Sequence, residues 1–541
     1  MFKIKSISKY FFSTFNLSLD KLRNSYFKTN FYNKKISKNI PSKYIYKPSP
    51  HIINCLISFK KKKIIVENLH LNSIWKIDSN NQLEFKNLHN FLWLNTLDIK
   101  TSRVVTHNII EDWIENNINF NEQTWKTEIL SKRIIAWISN TNLTLESSNP
   151  NYREKFNFCI IKQINHLFNN INNEKNYEIK IIACASLILI GLVFIEYKKF
   201  KEIGLEILKK IIKINFDYNG FPKSRNLEEL TECLKYLILI REWIKESQNL
   251  MPEFLDEIIY NLGISYNFIN KNFSHTPLFN GSSSISNEEF KMYLTNAGYS
   301  FKHNFNERGG YYITKNKKIS FIMDIGNSTE KKFSRRYQAG CLSFEIVSGD
   351  NKLICNSGFY YKKNNRLTTL CKSTAAHSTL YIDNHSSCTL DKSNVKKGLE
   401  IISKKINIEK DFDRVIASHN GYQKKYGYLH EREIKFFKKK QLFIGKDLLI
   451  AGRKATKVNF GIRFHVHPET KVVKTQNSTT VLLSMSKGDG WKFTCSDYEL
   501  IIETGIYLGN KNKLNKNENI FISGIAEQKD LFINWTFEKI S

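Results

Sequence analysis

A chain of 541 residues, 41% hydrophobic and 13% aromatic, has enough apolar surface for two or three packed domains, which excludes a disordered protein. Its formal net charge of +31 sets up a field that draws polyanions such as nucleic acid, anionic membrane or acidic polysaccharide, although AT-rich coding, which overuses Lys, Asn and Ile, produces the same surplus. Nine cysteines without a C-x-x-C pair exclude a disulfide framework and a zinc ribbon, and read as reduced, mostly buried thiols.

Residues 1–50 form a basic leader with aromatics at Tyr10, Phe11, Phe12 and Phe15. Ser13, Thr14, Asn16 and Ser18 interrupt any apolar core that a secretory signal would need. Export is not indicated, and a cytoplasmic location is the expectation. The next region, 51–285, reads as an α-helical domain, clearest from Leu92 to Asn272. Its apolar run Ile181–Ile195 falls short of the ~20 residues that a bilayer core demands, so we expect a buried helix and no membrane span. Phe156, Ile160, Ile161, Ile164, Leu167, Phe168 and Ile171 stripe one helix, and Ile207, Leu208, Ile211 and Ile212 another. A third begins at Asn226, whose side chain can cap it while Glu229 reaches back.

The Ser, Gly and Asn of Phe279–Asn287 predict a linker. Beyond it, over 290–541, the hydrophobic period changes from 3.6 to 2. Ile319, Phe321 and Met323 alternate with polar partners, as do Phe460, Ile462, Phe464 and Val466, so this half is an antiparallel β-structure large enough for a sandwich. The stretch Tyr337–Ile382 predicts three strands that bring Tyr360, His377 and several polar side chains together. In its first strand Cys341, Ser343 and Glu345 alternate with Leu342, Phe344 and Ile346, which predicts one core face and one exposed polar face. The same period places Arg463, His465 and His467 on one face of a later strand. His419, Tyr422, His430 and Arg432 form a polar cluster beside a turn. No helix-turn-helix, RNA-recognition or zinc-finger signature is present, so no specific nucleic-acid partner is expected.

Several phrases carry a resemblance. LSFEI, ICNSGFYY and TAAHSTLYIDN, then GYLHEREIKFF with GKDLLIAG, FGIRFHVHP, and GWKF with IIETGIYLG, resemble in order and spacing the C-terminal domain of the heparinase II/III family, from about Gly309 to about Gly524. That family consists of polysaccharide lyases with an α/α toroid and a β-sandwich. The resemblance implies an incomplete α/α toroid followed by an antiparallel β-sandwich, and cleavage of an acidic, uronate-containing glycan by β-elimination. It marks Tyr360 as catalytic, and His377 by its match to a metal-ligand histidine of the family. Arg336, Gln338, Asn356, His419, Tyr422, His430, Arg463 and His465 are the expected substrate-binding set. Related lyases are usually periplasmic.

Two departures bear on chemistry. Gln338 and Asn356 stand where zinc-binding members have a histidine and an aspartate, and one imidazole with two amides is a poor zinc site; no cofactor is expected. In the stretch Gly220–Glu229, Leu227 and Glu228 stand where characterised lyases have a Tyr-His pair. Three readings therefore remain: an acidic-glycan lyase, a catalytically impaired lyase-fold protein that binds acidic glycan, and a basic nucleic-acid-associated protein.

Overall fold

A computed structural model describes residues 19–39, 41, 44–57, 75, 82–97, 103–361, 365–391, 394–486, 488–511 and 513–541. The aromatics expected at Tyr10, Phe11, Phe12 and Phe15 lie outside the described residues. The chain divides into two compact units, one of Met1–Ile214 with Cys233–Glu257, the other of Asn215–Glu232 with Ile258–Ser541.

The first unit is helical. The helices Arg103–Asn117, Thr127–Ser139, Pro150–Asn170 and Tyr177–Val193 follow one another, and Lys198–Asn215 runs to its edge. The apolar run forms the helix Tyr177–Val193, and every residue from Ile181 to Val193 is buried. It is capped by the Asn176 side chain, which accepts from the Glu178 amide. Close packing explains its glycine: a Cβ on Gly191 would lie 2.4 Å from the backbone nitrogen of Lys201. No described helix is long and apolar enough to cross a membrane. Aromatic edges fill the centre, with Trp113 and Trp137 perpendicular at 5.4 Å. Arg133 is also buried there, over the Trp113 ring at 4.2 Å, donating to the carbonyls of His89 and Thr124 and to Gln163. Burial lowers its pKa to about 9.

The second unit is an antiparallel β-sandwich. Its nine-stranded sheet runs in the order Glu307–Arg308, Tyr311–Lys315, Ile319–Asp324, Phe344–Ser348, Asn351–Cys355, Lys457–Val466, Asn515–Glu527 and Ile501–Tyr507, with Leu380–Ile382 also pairing to Lys457–Val466. The eight-stranded sheet runs Lys471–Lys474, Thr480–Ser484, Gly490–Thr494, Leu531–Lys539, Leu442–Ala451, Tyr428–Phe437, Asp413–His419 and Ile401–Ile408. One core joins the two sheets. Phe344 of the first stacks on Trp535 of the second at 5.5 Å, and Phe321 meets Phe443 at 5.4 Å. The expected order of helices before antiparallel strands is what the chain adopts.

A polar tie crosses this core. Arg432 and Asp447 are direct cross-strand partners and both are fully buried. Arg432 donates to both carboxylate oxygens at 2.8 and 3.0 Å, while its remaining terminal nitrogen donates to the carbonyls of Leu342 and Ser378 beside the other sheet. His430 and the Trp535 indole complete the carboxylate's partners. Burial acts to raise the Asp447 pKa, but Arg432 and His430 hold it well below the usual range. The expected role of His430 in substrate binding is corrected here, because its ring is 0% exposed. His419, 1% exposed, lies against it at 3.4 Å, and Tyr422, equally buried, donates to the Leu380 carbonyl. None of the three reaches solvent.

Removing one partner of such a pair strands the other charge. Asp447→Asn is expected to cost about 3–5 kcal/mol, read as a lower midpoint in urea unfolding; a loss under about 1 kcal/mol would show that the pair is dispensable.

Candidate active site

The segment read as a linker is instead part of the interior of the second unit. Phe279, Asn280, Ser282, Ser283 and Asn287 are all 3% exposed or less. Its small polar side chains satisfy the start of the helix Leu227–Glu246. The Asn226 side chain accepts from the Glu229 amide at 2.8 Å, as expected of a cap. Ser282 Oγ accepts from the amides of Leu227 and Glu228, and the Asn226 amide group donates to the Asn280 carbonyl. Glu229 does not close a capping box: it takes a short hydrogen bond from Ser224 and pairs with Arg336 at 3.5 Å.

This arrangement places Glu228 at the centre of a polar cluster. One carboxylate oxygen accepts from Lys511 Nζ at 2.7 Å. The other accepts from the Tyr361 hydroxyl at 2.8 Å and from the Ser283 amide. The same hydroxyl lies 2.6 Å from the Gly281 carbonyl and 3.0 Å from Ser283 Oγ. Two cations flank the Tyr361 ring, Arg336 at 5.4 Å and Lys511 at 5.1 Å. Burial alone would raise the Glu228 pKa, but Lys511 and Arg336 overcome it and hold the carboxyl below its ordinary value. Burial, and then the Glu228 charge, push the Tyr361 hydroxyl well above its ordinary value, so it is a neutral proton donor. Lys511 is 40% exposed, which leaves the cluster open to solvent.

Sequence reasoning named Tyr360 and Arg336 and noted Glu228, but missed Tyr361, Lys511 and Ser283. The period of 2 that it followed ends at Cys355. Gly358 has φ +83 and lies against Leu508 and Gly509, so beyond it the chain is no longer a strand. Tyr360 is half-buried and packs against the small cluster of Phe359, Cys371 and Leu508.

The remaining expected residues lie beneath the surface, except Arg463, which is partly exposed. The face expected to be exposed, Cys341, Ser343 and Glu345, is buried. Glu345 is covered because it accepts from the amides of Leu278 and Asn356 and pairs with Lys352. Gln338, 1% exposed, is a staple and not a substrate contact: its oxygen accepts from the Gly281 amide, and its nitrogen donates to the carbonyls of Gly358 and Cys371. Asn356, fully buried, accepts from the Ser378 amide. His377, 1% exposed, donates from Nδ1 to the Ser373 carbonyl and sits hard against Gly340, where a Cβ would come within 2.5 Å of the ring. It cannot touch a substrate as a catalytic group. His465, 3% exposed, donates from Nε2 to the Ala375 carbonyl. Arg463 shares its face as expected but is paired with Glu503 at 2.8 Å and held over the rings of Tyr381 and Phe521.

The donor set does not fit zinc. Gln338 has spent its oxygen on a backbone amide, the free atom of Asn356 is a nitrogen that donates, and His377 Nε2 is the one acceptor that it faces no partner for. Among the described residues no three His, Cys, Asp or Glu side chains converge on a possible ion. Metal analysis of purified protein is expected to find no stoichiometric zinc; one tightly held ion per chain would overturn this.

Burial lowers the pKa of His377 to about 4 and, with the neighbouring His377, that of His465 to about 3. Both rings therefore fold neutral. Their full stability is present above pH ~6.5, and as pH falls below that the unfolded chain takes up protons that the folded one refuses. For His377 the loss reaches about 3 kcal/mol by pH ~4. The melting temperature is expected to fall between pH 7 and pH 4.5, and less steeply in His377→Gln; equal slopes in the two proteins would refute the assignment.

Comparisons agree with this architecture. Residues 302–536 match the Heparinase II/III-like, C-terminal family model. The Heparinase III-BT4657 gene product is similar with a TM-score of 0.66 at 14% identity, over 86% of this chain and 80% of that one. A crystal structure of Heparinase III gives 0.67 at 16%, over 84% and 76%. The heparan sulfate lyase HepC from Pedobacter heparinus gives 0.61 at 15%, over 94% and 83%. No curated protein matches the sequence. Residues 302–536 form a heparinase II/III-like C-terminal domain, and the fold of the chain is similar to that of the heparinase III structures.

Proposed function

We propose that the chain cleaves an acidic, uronate-containing glycan by β-elimination, with Tyr361 as a proton-transferring group. The observation that carries this reading is the Tyr361 hydroxyl, fixed 2.8 Å from Glu228 with Arg336 and Lys511 beside its ring. The reaction needs a positive region for the uronate carboxylate, a base for the C5 proton and an acid for the leaving oxygen. Lys511 and Arg336 supply the first. Tyr360, the position that the family resemblance marks, takes the C5 proton on its phenolate oxygen after giving its own proton to water; the released electron pair forms the C4–C5 double bond as the C4–O4 bond breaks. The departing O4 takes the proton of Tyr361. Glu228 touches no reacting atom in this scheme and acts as a positioning residue for the Tyr361 hydroxyl.

One observation favours a binding protein without turnover. Glu228 and Tyr361 already satisfy one another, and of Leu227 and Glu228, which stand where the resemblance expects a Tyr-His pair, Leu227 is fully buried.

The test is the ultraviolet absorbance of an unsaturated uronate during incubation with heparan sulfate, hyaluronan and alginate. Tyr361→Phe and Tyr360→Phe are each expected to lower kcat by roughly 10²–10⁴-fold while KM changes little. Lys511→Ala is expected to raise KM, and to raise it less at high salt. Full activity in the Tyr361→Phe protein would remove that residue from the mechanism. Absence of product from the wild type on every glycan would leave the binding-only reading.

A further inference from the structure

The second unit holds a cavity of about 910 Å³ that shares no lining residue with the Tyr361 cluster. Five lysines line it: Lys331, Lys396, Lys397, Lys424 and Lys425. All five are exposed, and among the described residues none is paired with a carboxylate. Of the two carboxylates of the wall, Glu330 is paired with Lys332 at 3.1 Å, and Glu400, held by the Asn420 side chain, keeps its charge.

The walls are held in place. Ser328 Oγ donates to the Leu399 carbonyl and accepts from the Leu399 amide, and Tyr422 is anchored on Leu380. Lys425 donates to His385 Nε2 at 2.6 Å and lies 4.9 Å from the Tyr426 ring. An ammonium has no lone pair, so Nε2 accepts and Nδ1 carries the proton, donating to the Asp383 carbonyl. Tyr426 Oη stands 2.7 Å from the same nitrogen. Lys425 is thus oriented by an imidazole and an aromatic face, neither of which carries a negative charge. Its own charge stays available to a ligand.

We propose that this cleft binds an anionic segment of an oligosaccharide, apart from the Tyr361 site. The volume lies in the ~300–1,000 Å³ range of ligand pockets. Five cations against one uncompensated carboxylate select sulfate or carboxylate groups, and Asn327, Ser386 and Gln423 on the wall suit sugar hydroxyls. Single-stranded nucleic acid fits less well, because it is gripped by stacking on open aromatic rings, and Tyr422 and Tyr426 are 1% and 7% exposed. The choice of a glycan rests on the acidic-glycan reading above; the anion site rests on the cleft alone.

The test is fluorescence anisotropy of a labelled heparin hexasaccharide titrated with the full chain at low and moderate salt. Lys424→Glu/Lys425→Glu and Lys396→Glu/Lys397→Glu are each expected to weaken Kd tenfold or more at low salt. Lys198→Glu/Lys199→Glu, an exposed pair on a helix of the other unit, carries the same charge change and is expected to alter Kd less than twofold. If charge reversal lowers the melting temperature, Lys424→Gln/Lys425→Gln replaces it, with a threefold or greater loss expected. Equal losses from the cleft pairs and the control pair would overturn the site, leaving only a diffuse field. Tighter binding of a DNA oligonucleotide than of hexasaccharide, lost in the same variants, would overturn the glycan. A chain that makes no unsaturated product yet shows the cleft-dependent Kd refutes the lyase reading and keeps this one.

Discussion

The second unit depends on one buried guanidinium. Arg225 stands just before the helix Leu227–Glu246 and sends its side chain into the sheet, pairing with Asp324 at 2.7 Å. It also donates to the carbonyls of Gly309, Gly310 and Asn327 and covers the Tyr311 ring at 4.8 Å. Tyr311 answers by donating to the Arg225 carbonyl, and Asn280 donates to Tyr311. Each ion costs several kcal/mol to bury, and Arg225 adopts a left-handed backbone, φ +59, at roughly 1–2 kcal/mol more. Pairing with Asp324 keeps the guanidinium charged, although burial still outweighs Arg225 at Asp324 and holds that carboxyl above its ordinary value. The return is geometric: the helix start, the Phe279–Ser283 segment and two strands share one anchor, and Glu228 inherits its position from it.

Much of this unit was legible in the sequence because its strands obey a period of 2. Phe460, Ile462, Phe464 and Val466 are buried, as their alternation demands, and the Asn226 cap was readable from local spacing alone. What stayed hidden was the second use of polar residues. Ser282 and Asn280 look like linker residues until their partners at Leu227 and Asn226 are known, about 55 positions away. Gln338, His377 and Glu345 look like an open polar face for the same reason. Burial of a polar group is set by long-range partners, and no local pattern records them. Tyr361 escaped notice for a different reason: Gly358, at φ +83, lies beyond the strand that ends at Cys355, so no alternation says which side its neighbours face.

The charge of the chain sorts into two populations. Arg225, Arg432 and Lys352 each have a buried carboxylate within 3.0 Å, so they act as structural cations and add little to the outer field. Lysines such as those around the 910 Å³ cavity are bound by no such partner. An excess that began as a compositional habit therefore becomes directional only where the fold collects lysines in excess of acids.

The division of the chain sets how it can be taken apart. The strand-bearing unit owns Asn215–Glu232, a short piece that lies in sequence between two parts of the helical unit. A fragment starting at Ile258 would keep every strand yet lose Arg225, Asn226 and Glu228, and with them the partners of Asp324, Asn280 and Tyr361. During synthesis the piece emerges before the strands that receive it, so Arg225 waits unpaired until Asp324 and Asn327 are made. Truncation at the apparent boundary would therefore leave Asp324 as a buried carboxylate without its guanidinium.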